Sequence, residues 1–365
     1  MSTLVLPDYL GGSVVNLAAE LEVRLTGSSA SPPLHGGLAE LVPEASTYVL
    51  VLFDGLGDRQ LDHRTAAPLR ASRVAGLDAV FPTTTTVNLA SVATGLPPSR
   101  HGLLGYQQWI PEVDAVVNTI KWTTLYGDPI EFDTTNLLPA PNLWERLSAA
   151  GREPITVQPA HFAASPLSRA LYRGCRIEDA YSIDDIVEAT SQLAAEPGRL
   201  VFTYLPHVDF AAHVFGQRSL EYAEAIAMVG AVWERIEQSL PDHAVAVGIA
   251  DHGHIDVPEG RQVKIEKPLH AGRDFYGDSR VMFVRGDDPE MLAADLPATW
   301  VPLDEMRHWW GPGPVHEAFE ARVPSGALIA DPGYMVLHKA SDDRMVGNHG
   351  GLTDAERRVP LLVAG

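Results

Sequence analysis

Three aspartates and three histidines stand where apolar segments of this chain end. Asp54 closes "TYVLVLFD", Asp251 and His252 close "AVAVGIADH", and Asp209 lies just past "LVFTYLP". His213 follows Asp209 by four residues in "DFAAH", a spacing that puts both side chains on one face of a helix. His349 sits within "GNHGG", where the backbone can approach closely. Carboxylates gathered at one point repel one another unless they are protonated or bound to cations. Aspartates mixed with histidines suit a borderline metal such as zinc. Each residue alone also has a structural reading: a turn former, a helical pair, an exposed loop histidine. Their conjunction favours a metal centre.

A second candidate chemistry lies in "FPTTTTVNLASVATG", residues 81–95. A run of threonines makes a poor helix interior, and a bare hydroxyl is a weak nucleophile. Apolar positions at Leu89, Val92 and Ala93 predict a helix there, with Asn88 as its N-cap and Gly95 as its stop. A threonine at that helix N-terminus would meet backbone N–H groups that favour an anion such as phosphate. Metal coordination could activate its hydroxyl without a histidine base.

The elements that must position these residues read as an α/β fold. Continuous apolar runs at "TYVLVLF", "PITVQP", "RLVFTYLP" and "HAVAVGIAD" alternate with helical patterns such as "SLEYAEAIAMVGAVWERIEQSL". That alternation predicts a mostly parallel central sheet with helices on both faces. Ligand crevices in such sheets form at the carboxyl ends of the strands, where Asp54, Asp209 and Asp251 fall. From about residue 255 to 345 the pattern turns irregular, with Gly and Pro breaks and the pair Trp309-Trp310. This stretch reads as a small cap subdomain inserted in a single domain spanning 1–365. A last apolar strand closes the chain.

Composition excludes some partners. Lys and Arg number 27 against 47 Asp and Glu, a formal net charge of −20. That balance argues against a nucleic-acid polymer or an anionic membrane surface as partner. An anionic substrate stays possible if metal ions supply local positive charge. A single cysteine, Cys175, excludes an internal disulfide and a cysteine-based zinc site. No signal peptide or membrane span is read in the sequence, so a cytoplasmic location is expected.

Taken in order, "FDG", "FPTTTTVNLASVATGLPPSRHG", "DFAAH", "ADHG" and "NHGG" resemble the alkaline phosphatase superfamily, in particular its type I phosphodiesterase/nucleotide pyrophosphatase branch. The resemblance runs from Phe53 to Gly351. It implies an alkaline phosphatase-like fold and a phosphohydrolase acting on phosphodiester or pyrophosphate bonds of small, nucleotide-type substrates. By the same resemblance Thr85 is the nucleophile, through a phosphothreonine intermediate, and Asn88 donates to a phosphate oxygen. Two Zn2+ ions are implied, with Mn2+ as the alternative metal. Asp54, Thr85, Asp251 and His252 would hold one, and Asp209, His213 and His349 the other. Where relatives often carry Phe-Pro between nucleophile and asparagine, this chain has Thr86-Val87.

Competing readings are a phosphomonoesterase and a phosphonate hydrolase of the phosphonoacetate-cleaving type. A monoesterase must neutralise one more charge, for which Lys121, Lys264 and Lys267 are candidates. The non-enzyme alternative is a catalytically silent metal-binding protein. His207, His254 and His270 are assigned local supporting roles.

Overall fold

The apolar runs become the interior of a seven-stranded sheet in a computed structural model that describes residues 4–365. Across this sheet the strands run Arg73–Asp78, Arg358–Ala364, Ala244–Ile249, Thr47–Phe53, Arg199–Leu205, Glu153–Pro159 and Arg176–Ala180. The central pairings are parallel. The final strand runs antiparallel to both of its neighbours, so the sheet is mixed. Every residue of Thr47–Phe53 is buried, as expected of a strand covered on both faces.

Helices flank the sheet in two groups. Val14–Thr26, Thr85–Thr94 and Leu143–Ala149 pack on one another, and Ile183–Ala194 packs on the long helix Leu220–Ser239. Ser219 starts the long helix by accepting the Tyr222 N–H at 3.1 Å.

Register explains why the candidate ligands meet. Phe53 lies opposite Leu205, and Leu52 lies opposite Ile249. The three strands therefore stop level, and the residues just beyond them share one rim. The Asp209 N–H donates to the Asp54 carbonyl at 3.0 Å, and the Gly55 N–H donates to Asp251 Oδ1 at 3.0 Å.

Seven further strands form a second sheet, entirely antiparallel, and the four others pair off in two two-stranded sheets. The stretch read as an insertion supplies Arg273–Gly277, Val281–Gly286, Ala298–Pro302 and Gly326–Ala330. Gln107–Ile110, Ala115–Asn118 and Thr123–Thr124 supply the rest, from a segment outside the stretch read as the cap. Most of these strands are only two to five residues long, so their sequence signal is weak. The core beside this sheet holds Tyr276, Phe283, Trp310 and Phe319, and it takes in Phe81 from the threonine segment. The Phe81 ring lies 5.2 Å from Trp309 and 5.5 Å from Trp310, centroid to centroid. Among the described residues, no helix is long and apolar enough to cross a membrane.

Candidate metal centre and nucleophile

All six Asp and His residues read as candidate ligands reach one buried site. Asp54, Asp251 and His252 form one cluster of potential ligand atoms. Asp209 joins His213 and His254 in a second, and His252 and His349 in a third. His252 Nε2 lies 3.6 Å from Asp54 Oδ1 and 3.5 Å from Asp251 Oδ2. His213 Nε2 lies 3.3 Å from Asp209 Oδ1 across one turn of the helix His207–Phe215. The imidazoles of His252 and His349 stack at 3.7 Å between centroids.

The donor chemistry of this cluster fits metal ions. His213 Nδ1 lies 2.7 Å from the Gly347 carbonyl, and His349 Nδ1 lies 2.8 Å from the Thr83 carbonyl. A carbonyl only accepts, so each Nδ1 carries a proton and each Nε2 is left for a metal ion or a second proton. Those two Nε2 atoms stand 3.2 Å apart. Lone pairs so placed repel unless a cation or a proton lies between them. Asp54 Oδ1, Asp251 Oδ2 and His254 Nδ1 are also buried without a hydrogen-bond partner. Unpaired buried carboxylates are costly, and bound cations would relieve that cost.

Electrostatics within the cluster follow the same logic. Burial, then the charges of Asp251 and Asp209, push Asp54 well above the usual carboxylate range. Tyr204, itself buried, donates its hydroxyl to Asp54 Oδ2. Burial also pushes Asp209 upward, but the charge and hydrogen bond of His213 and the contact with His254 hold it well below that range. Burial and the neighbouring histidines depress His349 strongly. Burial brings His254 down to about 4. Both rings therefore stay neutral near pH 7, the form in which imidazole ligates a metal.

Thr85 faces this cluster. Its Oγ1 lies 3.1 Å from His252 Nε2, and it is the first residue of the helix Thr85–Thr94. The helix thus begins earlier than the sequence reading had it, with Thr84 rather than Asn88 as N-cap. Gly95 ends it in the left-handed conformation, as the sequence indicates. Asn88 is fully buried inside the first turn. Its Oδ1 accepts the Val80 N–H at 2.8 Å, and its amide donates to the Thr84 carbonyl at 3.1 Å and the Pro82 carbonyl at 3.4 Å. Through these contacts Asn88 braces the loop that carries Thr85.

Thr83 has a comparable holding role. Its Oγ1 donates to the Gly351 carbonyl at 2.7 Å and accepts the Gly350 N–H at 3.1 Å, tying the threonine run to the His349 loop.

Sequence reasoning passed over two contributors. His254, assigned a supporting role, stands within the site with Nε2 2.9 Å from Asp209 Oδ1. Its spacing two residues beyond His252 was the available signal. Tyr204 gave none, since it reads as an ordinary strand residue. Gly55 makes the meeting of His254 and Asp209 possible. Its φ is +74°, and a Cβ there would lie 2.7 Å from His254 Nε2 and 2.8 Å from Asp209 Cα.

A mixed, mostly parallel sheet flanked by helices, with a carboxylate–histidine cluster and a hydroxyl at its rim, defines an alkaline phosphatase-like fold. The chain matches the family described as Type I phosphodiesterase / nucleotide pyrophosphatase over residues 48–352, and it belongs to that family. Among solved structures it resembles murine ectonucleotide pyrophosphatase / phosphodiesterase 5, with a TM-score of 0.67 and 19% identity over 87% of this chain and 88% of that one. The human protein of the same description gives a TM-score of 0.65 and 19% identity over 87% of each chain. Phosphonoacetate hydrolase from Sinorhizobium meliloti 1021 gives 0.64 and 19% identity, over 88% of this chain and 91% of that one. No curated protein matches the sequence significantly.

Proposed function

We propose that this protein is a two-zinc hydrolase of phosphodiester or pyrophosphate bonds in small nucleotide-type substrates, with Thr85 as nucleophile. The observation that carries the reading is the Thr85 hydroxyl at a helix N-terminus, 3.1 Å from His252 Nε2 and beside the buried aspartates. Asp54, Thr85, Asp251 and His252 would hold one ion, and Asp209, His213 and His349 the other, with His254 bracing Asp209. When bound, such ions lower the pKa of a hydroxyl and offset charge on phosphoryl oxygens. Thr85 Oγ1 then forms a bond to phosphorus while the bond to the leaving oxygen breaks and its electrons depart with the leaving group. Water hydrolyses the resulting phosphothreonine and restores the hydroxyl. The N–H groups at the start of this helix would donate to the phosphate oxygens.

Charge favours a diester over a monoester. Every ion pair within the site joins a carboxylate to a histidine. Lys121, Lys264 and Lys267, named from sequence as possible neutralising groups, are all exposed, and Lys264 pairs with Asp343 at 2.8 Å. The second charge of a monoester has no evident partner there. Structural neighbours have been captured with AMP and with phosphonoacetate, so both classes belong in the test.

Metal analysis should find about two zinc ions per chain. Chelation should abolish hydrolysis of a nucleoside phosphodiester, and zinc should restore it. Full activity in protein free of transition metal would overturn the reading. Preferred cleavage of phosphonoacetate would move it to the phosphonate hydrolases.

A further inference from the structure

The helix His207–Phe215 has a second face that the candidate metal centre does not use. Asp209 and His213 share one side of it and meet the cluster. At helical spacing, His207, Phe210, Ala211 and Phe215 fall on the opposite side. These four line a cavity of about 820 Å3. It lies beyond the carboxyl ends of the strands Glu153–Pro159, Arg176–Ala180 and Arg199–Leu205. The N-terminal parts of the helices Ile183–Ala194 and Leu220–Ser239 complete its wall. A volume of this order suits a small organic molecule.

Most of the wall is apolar, and Phe162, Tyr181 and Met228 join the two phenylalanines in it. The rings of Phe210 and Phe215 stand 6.5 Å apart at 76°, so they form two sides of one corner. They are 62% and 44% exposed, and Tyr181 is 84% exposed. Aromatic side chains held open to water around a cavity mark a ligand site. The charged side chains of the wall decide which ligand. They are Glu221 and Glu224, and no lysine or arginine lines the cavity. Both carboxylates are exposed and stand one helical turn apart, where like charges repel and a cation relieves the repulsion. Ring faces attract a cation as well, through their negative potential. An anionic ligand would meet two like charges with nothing in the wall to offset them. His207 Nδ1 is buried without a hydrogen-bond partner, so one polar atom of the wall is still to be matched.

We propose that this cavity is a second binding site, separate from the metal centre, for a small organic cation. Its ammonium group sits beside Glu221 and Glu224, and its apolar body lies against Phe210, Phe215 and Tyr181. The inference goes beyond the phosphodiesterase reading and does not depend on it. Because the two sites use opposite faces of one helix, a cation bound here does not displace an anion at the metal centre.

Two probes with one ring system and opposite charge test this: naphthylethylamine and naphthylacetate, each titrated into zinc-loaded protein by calorimetry. The amine should bind about tenfold more tightly than the acid, or better. In the double variant Glu221→Gln/Glu224→Gln that ratio should fall to about threefold or less. Phe215→Ala keeps both carboxylates and should weaken the amine about fivefold, because the ring supplies both apolar contact and cation attraction. Saturating inorganic phosphate should leave the affinity for the amine within about twofold. Equal affinity for the two probes would overturn the inference, as would a ratio that the double variant leaves unmoved. Displacement of the amine by phosphate would also overturn it, by placing the amine at the metal centre. So would an amine that fails to bind at millimolar concentration. Failure of the phosphodiesterase reading would show as absent turnover and would leave these titrations unchanged.

Discussion

The two sheets contribute to the site in different ways. At the carboxyl rim of the main sheet, backbone register sets the charged groups: level strands deliver Asp54 and Asp251, and a helix starting just past the next strand delivers Asp209 and His213. The second sheet contributes none of the six sequence-read ligands, yet it fixes where the loops lie. Its core grips Phe81, two residues before the threonine hub Thr83, and its hairpin turn clamps the His349 loop. Charges come from one region and loop positions from both. Substitutions at the rim should therefore change chemistry with little loss of fold, and substitutions at the contacts between sheets should do the reverse.

The sharpest separation is expected at Thr85. Thr85→Ala should lose roughly a thousandfold or more in turnover while keeping much of its zinc, because Asp54, Asp251 and His252 remain. Thr85→Ser should retain partial activity. If Thr85→Ala turns over near the wild-type rate while Thr84→Ala is inactive, the nucleophile is Thr84, and a phospho-adduct mapped by mass spectrometry would show it.

Asp251→Ala should come next, losing zinc as well as rate. Its Oδ1 accepts the Gly55 and His252 N–H groups, each at 3.0 Å, so the loss also frees two buried donors. Unchanged zinc content in this variant would remove Asp251 from the ligand set.

Phe81→Ala tests the other side of the comparison. The ring is fully buried among Phe283, Trp309 and Trp310, and its removal should cost about 3–5 kcal/mol in urea unfolding. Turnover of the folded fraction should fall far less than in Thr85→Ala. Loss of turnover without loss of stability would mean that the second sheet takes part in the chemistry directly.

Much of the main sheet was legible because parallel strands covered on both faces are written as unbroken apolar runs, and the ligands follow their ends. The helix start was misplaced for a local reason. Asn88 has the residue type of an N-cap, but its side chain reaches back to Val80 and Thr84 from within the first turn. The second sheet was hidden because its strands come from two distant segments and meet only through antiparallel pairing. Gln107 pairs with Gly277, a contact that no local pattern announces.

A smaller effect is expected at His101, which links the Thr85 helix to the second region. Its Nε2 lies 3.0 Å from Ser91 Oγ, and its Nδ1 accepts the Leu103 N–H at 3.2 Å. Burial, with His316 and Arg322 nearby, lowers it to about 3. A histidine depressed in the folded state binds its proton more readily in the unfolded chain. Its contribution is therefore complete above the unfolded value of about 6.5 and declines as pH falls toward 3. The stability advantage of wild type over His101→Gln should shrink by about 1.4 kcal/mol per pH unit between pH 6 and pH 4. A constant difference across that range would mean that the ring is already protonated in the fold.

The smallest effect should be at Lys264, and it bears on the charge of the substrate. A monoesterase would need a cation near the phosphoryl group, for which Lys121, Lys264 and Lys267 were the sequence candidates. Lys264 instead pairs with Asp343 at the surface, with side-chain exposures of 41% and 55%, so water screens the pair. Lys264→Ala should shift stability by less than about 0.5 kcal/mol. It should also leave kcat/KM for diester and monoester within about twofold, because the change removes no group that meets substrate. A selective tenfold loss on p-nitrophenyl phosphate would bring the second region's cations into the reaction. It would also break the division in which the charges come from the main sheet alone.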